Sequence, residues 1–287
     1  LYAEASSPSD VVEALEMARG RGLAVVVLGG GSNVLVADRG LDALVLRRRL
    51  GGVASSERDG RVVLEAGAPV EVERFASRVG ALLVAWYPGQ EGGTAIANVL
   101  WGKTSPSGKL PVTFARRYDD YPSAKYFDAV QDHRLAYGEG VFVGYRGFDE
   151  QNVEPRYPFG FGLSYSKFEY ESLIVTSHGD GNVDVQLRVR NTGARAAREV
   201  VQVYVAPPEG AAPRPPQELK AFASVELAPG ATSEVRLDLP PRAFARFDAG
   251  LHRWVVDAGR YEVRVASSSR DVRARQSVTQ KAAQWEP

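Results

Sequence analysis

The stretch VDVQLRVRNTGARAAREVVQVYV, residues 183–205, contains two segments in which apolar and polar side chains alternate. A period of two places the apolar side chains on one face of a β-strand. The residues between the segments, Asn191-Thr192-Gly193, are typical of a turn. The stretch therefore predicts two strands, Val183–Arg190 and Glu199–Val205, that each bury one face.

Similar short segments recur from Lys167 onward, at Phe168–Val175, Glu218–Leu227, Ser233–Leu239 and Gly259–Ala266. Regularly spaced strands with turn residues between them are typical of an immunoglobulin-type β-sandwich of about seven strands. The final residues, KAAQWEP, are predicted to form a loose tail. The apolar side chains expected to point inward are Leu187, Val189, Val201, Val203, Val205, Val225, Leu227, Val235, Leu237, Val255, Tyr261, Val263 and Val265.

Residues 7–101 differ from the later part of the chain, because patterns typical of helices and patterns typical of strands alternate along them. Ser7 or Ser9 can cap a helix, Pro8 suits its first turn, and apolar residues follow at helical spacing. The further elements predicted here are strands at Leu23–Leu28, Ala43–Leu46, Arg61–Ala66 and Ala81–Trp86, and helices at Val70–Gly80 and Gln90–Trp101. The fold class is therefore an α+β N-terminal portion, built of α/β segments over 7–101, followed by an all-β sandwich.

A long loop is predicted between these two parts, over residues 103–162, because proline, glycine and tyrosine are frequent there and no periodicity is convincing. Such a stretch is expected to be a functional loop or to lack a packing partner. Its aromatic side chains could stack on sugars, but we expect most of them to be core, since aromatic residues dominate burial energetics. The aromatic residues in and around this loop are Trp86, Tyr87, Trp101, Tyr137, Phe142, Tyr145, Phe148, Tyr157, Phe159, Phe161 and Tyr165.

The composition excludes several function classes. The 287 residues carry 35 basic and 35 acidic side chains. The chain therefore lacks the excess positive charge that is typical of proteins that bind nucleic acid or an anionic membrane. No apolar run is long enough for a membrane span. The chain has no cysteine, which excludes thiol catalysis and leaves the compartment open: the cytoplasm is favoured, with the periplasm and secretion as alternatives.

Three adjacent glycines, Gly29, Gly30 and Gly31, follow the predicted strand Leu23–Leu28 and precede Ser32 and Asn33. Bare backbone N–H groups and a hydroxyl can form an anion-binding concavity. The stretch matches neither the Walker loop nor the G-x-G-x-x-G dinucleotide pattern. From spacing alone, a tight turn and a phosphate site therefore both remain open.

The segment SPSDVVEALEMARGRGLAVVVLGGGSNVLVADRGLDALVL, followed by VVLEAGAPVEVERFASRVG, resembles the first flavin-binding subdomain of UDP-N-acetylenolpyruvoylglucosamine reductase, a peptidoglycan-precursor enzyme that uses FAD and NADPH. The resemblance covers about residues 5–80. It implies that Gly29, Gly30, Gly31, Ser32 and Asn33 meet the FAD pyrophosphate. The subdomain that would hold the isoalloxazine ring has no counterpart, so at most weak FAD binding is expected.

A second resemblance begins at AWYPGQEGGTAIANVLWGKTSPSGKLPVTF and continues through YGEGVFVGYRGFD and RYPFGFGLSYSKFEYESLIV. These segments resemble the closing part of the α/β sandwich domain of family 3 glycoside hydrolases, the β-glucosidase group. The later segments VRNTGARAAREVVQVYV, PPQELKAFASVELAPG and RWVVDAGRYEVRVASSSRDV resemble their fibronectin type III-like domain.

The two resemblances together imply a chimera-like chain with a join near residues 80–86. The domains expected are a flavin-binding-type fragment over 1–80, a hydrolase remnant with the long loop over 81–162, the β-sandwich over 163–280 and a tail over 281–287. An exposed loop 103–162 is also expected to allow self-association through its apolar side chains.

Catalytic residues are not expected within this chain. The family 3 resemblance places the nucleophile on a (β/α)8 barrel of about 250 residues and the acid/base glutamate upstream of the matched segment. Glu91 and Glu139 are the carboxylates in well-matched loops, and a helix N-terminus and a structural loop are the simpler roles for them. His133, His178 and His252 lack metal-ligand spacing.

Two function classes remain from the sequence. The first is the C-terminal part of a β-glucosidase-type hydrolase that acts on carbohydrate, inactive alone or serving as a structural or accessory module. The second is a flavin-binding oxidoreductase fragment. A bound flavin would favour the second, and recovered glucosidase activity on docking to a barrel would favour the first.

Overall fold

The computed structural model of the chain describes residues 2–5, 8–21, 24–28, 43–48, 54–56, 61–63, 73, 80–86, 89–127 and 137–287. Contacts divide the chain into two units, one of residues 1–70 and 75–87 and the other of residues 71–74 and 88–287. Strands outnumber helices in the described parts. None of the helices described is long and apolar enough to cross a membrane.

The first unit contains a parallel sheet and one described helix, α1 (Pro8–Gly20). Ala14 and Ala18 lie one turn apart on the buried side of α1, which confirms the predicted helix and its period. The sheet order is β1-β3-β2, and β4 pairs with β5 in a separate antiparallel ribbon. The strands are β1 (Tyr2–Ala5), β2 (Ala24–Leu28), β3 (Ala43–Arg48), β4 (Ala54–Ser56) and β5 (Arg61–Val63).

The prediction of a buried strand over Ala81–Trp86 is wrong. Residues 81–86 form no regular element, and Leu83 and Trp86 are exposed. Trp86 also has φ of 47°, which is incompatible with a continuing extended strand. The predicted helix over Val70–Gly80 lies almost entirely outside the described residues.

The second unit begins with helix α2 (Gly92–Leu100), which confirms the helix predicted over Gln90–Trp101. Shorter helical turns follow in the predicted loop region. They are a 3-10 helix at Tyr118–Asp120, α3 (Ala124–Phe127) and α4 (Tyr145–Glu150). The rest of the described loop region is irregular in backbone conformation.

Two antiparallel sheets form the β-sandwich of the second unit, with strand orders β10-β7-β6 and β14-β13-β8-β9. The strands of the first sheet are β6 (Phe168–Ser177), β7 (Val183–Asn191) and β10 (Thr232–Leu239). The strands of the second sheet are β8 (Ala197–Ala206), β9 (Glu218–Leu227), β13 (Gly259–Ser268) and β14 (Asp271–Gln280). The six strands predicted from alternation are all present.

The core of the sandwich lies between the inner faces of these sheets. In β7 every second residue from Val183 to Asn191 is buried, as the sequence predicts. Val225 and Leu237 pack partly against this core, and Val256 rather than Val255 points into it. The predicted inward side chains that are buried are Leu187, Val189, Val201, Val203, Val205, Leu227, Val235, Tyr261, Val263 and Val265.

Four of the described strands in the second unit, β14 and the three strands of a small sheet, were not predicted. Strand β14 reads DVRARQSVTQ, whose frequent polar residues hide the period, and it pairs along β13 at the end of its sheet. A small sheet, in the order β11-β12-β15, contains β11 (Arg246–Asp248), β12 (Arg253–Val256) and β15 (Ala283–Trp285). Part of the predicted tail is therefore paired, because its backbone hydrogen-bonds to the exposed edge of β12.

Leu187→Ala should lower the free energy of unfolding by about 2–5 kcal/mol, since it leaves a cavity at a fully buried position. Leu251→Ala is the matched control because Leu251 is largely exposed, and its effect should stay within about 0.5 kcal/mol. Urea unfolding followed by circular dichroism measures both. Equal effects of the two substitutions would contradict the assigned core.

Candidate functional site

The glycine turn that the sequence singled out, Gly29 to Asn33, lies outside the described residues. The structure therefore does not test FAD binding there, which stays a prediction. Strand β2 ends at Leu28, directly before the turn.

The two candidate glutamates occupy different structural settings. Glu91 is the N-cap residue of α2, and its side chain makes no capping hydrogen bond. It is exposed, and a carboxylate at this end favours the helix dipole. Glu139 is partly buried in a turn in which the Phe142 N–H donates to the Glu139 carbonyl at 3.0 Å. These surroundings fit the simpler structural roles expected for both.

The histidines do not form a metal centre in the described part of the chain. His178 Nε2 lies 2.8 Å from Asp184 Oδ2 in an exposed pair beside the β6–β7 turn. His252 has a positive φ of 51° in the turn before β12, and its ring contacts Phe247 edge-on. His133 is not among the described residues. No group of three or more metal-ligating side chains occurs among those that are.

Aromatic side chains of the predicted loop pack against the second sheet of the sandwich. The Tyr145 and Phe159 rings stack with centroids 4.7 Å apart, and Tyr145 meets Tyr204 of β8 edge-on at 6.0 Å. Tyr121 contacts Phe148 at 5.9 Å. Phe148 and Tyr204 are fully buried. The expectation of core packing is thus confirmed for this group, but it is wrong for Trp86, Trp101, Tyr137 and Tyr165, which are exposed.

The described parts of the loop region also pair with each other through the backbone. The Leu110 N–H donates to the Phe161 carbonyl at 2.8 Å, and the Gly160 N–H donates to the Leu110 carbonyl at 2.8 Å. Phe114 and Tyr157 form an isolated antiparallel bridge. Two stretches near residues 110–114 and 156–161 therefore run side by side, although the sequence shows no strand period there.

The amide of Gln202, in β8, joins this loop region to the sandwich. Its Nε2 donates to the Gly160 carbonyl at 3.0 Å and to the Ser267 carbonyl at 2.8 Å. Its Oε1 accepts a hydrogen bond of 2.7 Å from the Tyr204 hydroxyl. Gln202 is buried, and Gly160 has φ of 78° with no room for a Cβ beside the amide. Sequence reasoning missed Gln202 because alternation assigns it to the exposed face, whereas β8 is buried on both faces from Val201 to Ala206.

A second set of contacts between the loop region and the sandwich is formed by charged and amide side chains around Asp149 of α4. Asp149 pairs with Arg270 at 3.0 Å and accepts a hydrogen bond from Gln217 Nε2 at 3.0 Å. Arg264 Nη1 donates to Gln217 Oε1 at 3.0 Å. Burial raises the pKa of Asp149 despite the hydrogen bond from Gln217 and the nearby arginines. We call Asp149, Gln217, Arg264 and Arg270 the Asp149 network.

Large apolar side chains near the C-terminal end of α2 are exposed. Leu100 and Trp101 have 60% and 74% of their surfaces exposed, and Leu163 has 72%. Tyr165 is fixed beside them, because its hydroxyl donates to the Val99 carbonyl at 2.8 Å. We call Leu100, Trp101, Leu163 and Tyr165 the α2 apolar surface. An exposed apolar surface of this kind is typical of an interaction site.

Comparison with known proteins identifies the family. The model of the glycosyl hydrolase family 3 C-terminal domain matches residues 5–165, and that of the fibronectin type III-like domain matches residues 199–269. This chain belongs to glycosyl hydrolase family 3.

Curated family 3 relatives are much longer than this chain. It is 39% identical over 277 residues to a β-glucosidase of Rhizobium radiobacter, an alignment that covers 93% of the chain and 34% of that protein. It is 40% identical over 220 residues to an exo-α-(1→6)-L-arabinopyranosidase of Bifidobacterium breve, covering 77% of the chain and 29% of that protein. The chain thus spans about a third of the length of these relatives.

Solved structures give the same result for the fold. The structure of β-glucosidase 3B from Thermotoga neapolitana in complex with glucose matches with a TM-score of 0.74 and 35% identity. The match covers 96% of this chain and 40% of that one. A match of this extent includes residues of both units.

The resemblance of residues 5–80 to the flavin enzyme is not supported. The family 3 domain matches residues 5–165 without interruption, and this range includes both the glycine turn and the expected join near 80–86. One family therefore accounts for the chain, and the interpretation as a chimera is corrected. A strand, a glycine-rich turn and a following helix or strand make up a short local pattern that unrelated α/β folds share.

The Asp149 network should make the stability of the chain depend on pH. Because the pKa of Asp149 is raised in the folded state, the folded state holds this proton more tightly than the unfolded state. Its contribution to the free energy of unfolding is therefore greatest below the unfolded pKa of about 3.9 and is lost as the pH rises through the folded pKa.

Asp149→Asn removes this titration, so the stability of the wild type minus that of the variant should decrease as the pH rises from ~4 to ~7. Urea unfolding at several pH values measures the difference. Added salt should change the trend little, since the main cause of the raised pKa is burial of the Asp149 carboxyl, which salt does not screen. A difference that does not vary with pH would contradict the assignment.

Proposed function

We propose that this chain forms the C-terminal region of a β-glucosidase-type glycoside hydrolase, which hydrolyses O-glycosidic bonds of carbohydrates. The observation that carries the proposal is the uninterrupted family 3 match over residues 5–165, followed by the fibronectin type III-like match. The relatives named as β-glucosidases support this substrate class. The arabinopyranosidase relative leaves the sugar itself open.

The chain by itself is proposed to be inactive. A retaining glycosidase needs two carboxyl groups about 5–5.5 Å apart across the scissile bond. The barrel that carries the nucleophile by resemblance requires about 250 residues. Here the family 3 C-terminal and fibronectin-like matches already occupy residues 5–165 and 199–269. No stretch of this length is left in these 287 residues.

The α/β portion over 7–101 is proposed to complete a larger α/β sandwich domain, and the α2 apolar surface to pack against the nucleophile-bearing barrel. Exposure of Trp101 and Leu163 supports the second proposal, since neither side chain is covered within the described second unit. The self-association expected from the sequence is proposed for loop 103–162 instead, where Val112, Tyr137 and Val141 are exposed.

Purified chain should not hydrolyse an aryl β-glucoside above the background rate, because an unpositioned carboxylate lacks the effective molarity that orientation provides. Glu91→Gln and Glu139→Gln should show the same background rate. Release of the aryl group measures all three proteins. Turnover by the wild type that disappears in either variant would make that glutamate catalytic and overturn the proposal.

Mixing the chain with a separately produced barrel domain of a related β-glucosidase should restore hydrolysis of the aryl glucoside. Trp101→Ser should weaken this restoration about tenfold, since it removes a large apolar side chain from the docking surface. Phe222→Ser is the matched control, because Phe222 is 67% exposed on β9 and lies outside the α2 apolar surface. Equal losses in both variants would place the barrel elsewhere.

A further inference from the structure

Three aromatic side chains form a row across the small sheet β11-β12-β15. Phe247 of β11 is paired directly with Trp254 of β12, and Trp254 is paired directly with Trp285 of β15. Directly paired residues of antiparallel strands place their side chains on the same face. The Phe247 and Trp254 rings meet edge-on with centroids 5.4 Å apart. The row is therefore a continuous aromatic strip on one face.

This strip borders a cleft of about 340 Å³. The cleft is lined by Pro240, Pro241, Arg242, Trp254, Trp285 and Glu286. Its size is at the lower end of the range of small-molecule sites, about 300–1,000 Å³. Trp285 is 37% exposed and Phe247 is 42% exposed. The cleft thus offers aromatic surface to a ligand of about one or two rings.

Charged groups stand at the rim of the same cleft. The Arg242 guanidinium lies 4.2 Å from the centroid of the Trp254 ring, which orients it by a cation–π contact. Glu286 also lines the cleft and is paired with Arg253 at 3.6 Å, with its side chain largely exposed. Arginine provides several hydrogen-bond donors and a carboxylate provides acceptors. The rim can therefore satisfy a ligand that carries both kinds of group.

We propose that this cleft, bounded by Trp254, Trp285, Arg242 and Glu286, is a carbohydrate-binding site that takes a β-linked gluco-oligosaccharide. A pyranose ring has a face of C–H groups, which suits an indole face, and a rim of hydroxyls, which suits a guanidinium and a carboxylate. The site would hold the sugar chain on the fibronectin-like region. The choice of a glucan rests on the proposed function.

A proline-rich peptide is the other ligand that aromatic grooves commonly bind. Here two prolines, Pro240 and Pro241, already line the cleft together with Glu286. A hydroxyl-rich ring uses both the donors of Arg242 and the acceptors of Glu286, whereas a polyproline segment offers carbonyl acceptors alone. The observations therefore favour the carbohydrate.

Cellotetraose titrated into the full chain should bind saturably in isothermal titration calorimetry and should change the tryptophan fluorescence. Trp285→Ala should lower the affinity about tenfold or more, because it removes the exposed stacking face. Arg242→Ala should lower it too, by loss of the donors. Phe222→Ala, at an exposed aromatic position on β9 outside the cleft, is the control and should bind like the wild type.

Saturable binding that is lost in Trp285→Ala and Arg242→Ala supports the site. Absence of binding by the wild type, unchanged affinity in both variants, or binding of a proline-rich peptide in place of cellotetraose overturns it. If Trp285→Ala loses its native circular dichroism, the Arg242→Ala result decides. Binding without restored hydrolysis in the barrel mixture would refute the proposed function alone, and restored hydrolysis without binding would refute this site alone.

Discussion

The arrangement of the second unit depends on one buried amide, that of Gln202. It holds the Gly160 carbonyl of the loop region, the Ser267 carbonyl of β13 and the Tyr204 hydroxyl of β8 at once. A buried amide left without partners costs about 1–3 kcal/mol. The loop region must therefore keep Gly160 in place, and only glycine fits there.

Other contacts also hold the loop region against the sandwich. The Tyr145–Phe159 stack covers the apolar side of the sheet near Tyr204, and the Ser269 N–H donates to the Phe159 carbonyl at 2.9 Å. Lys109 pairs with the buried Glu199 at 2.9 Å. Buried backbone groups need partners, and in this irregular region the sandwich provides many of them. The described parts of this proline- and glycine-rich segment are thus held in place although most of their residues lie outside regular secondary structure.

Much of the sandwich could be predicted from the sequence, because alternation reports directly which face of a strand is buried. The exceptions have physical causes. Strand β14 lies at a sheet edge and carries arginines on its exposed positions, so its period is weak. Val255 and Val256 are adjacent, and alternation alone cannot choose between them. The packing of the loop region against the sandwich was not predicted, because Gln202 and Gly160 are far apart in the sequence and form no motif.

The candidate sites were less predictable. Gly29 to Asn33 drew attention as a local pattern, yet local patterns recur in unrelated families and the longer match assigned the segment to family 3. The aromatic strip at Phe247, Trp254 and Trp285 depends on strand pairing between the predicted tail and β12. Because Trp254 and Trp285 are far apart in the sequence, composition does not show that their strands pair.

Native-state hydrogen exchange tests most directly whether the loop region and the sandwich form one cooperative structure. The amides of Leu110, Phe114 and Gly160 donate hydrogen bonds within the loop region, and that of Val203 lies in the central strand β8. The account predicts that all four exchange with similar free energies of opening and that Gln202→Ala lowers those of the loop amides first. Loop amides that exchange at unprotected rates while Val203 stays protected would contradict it.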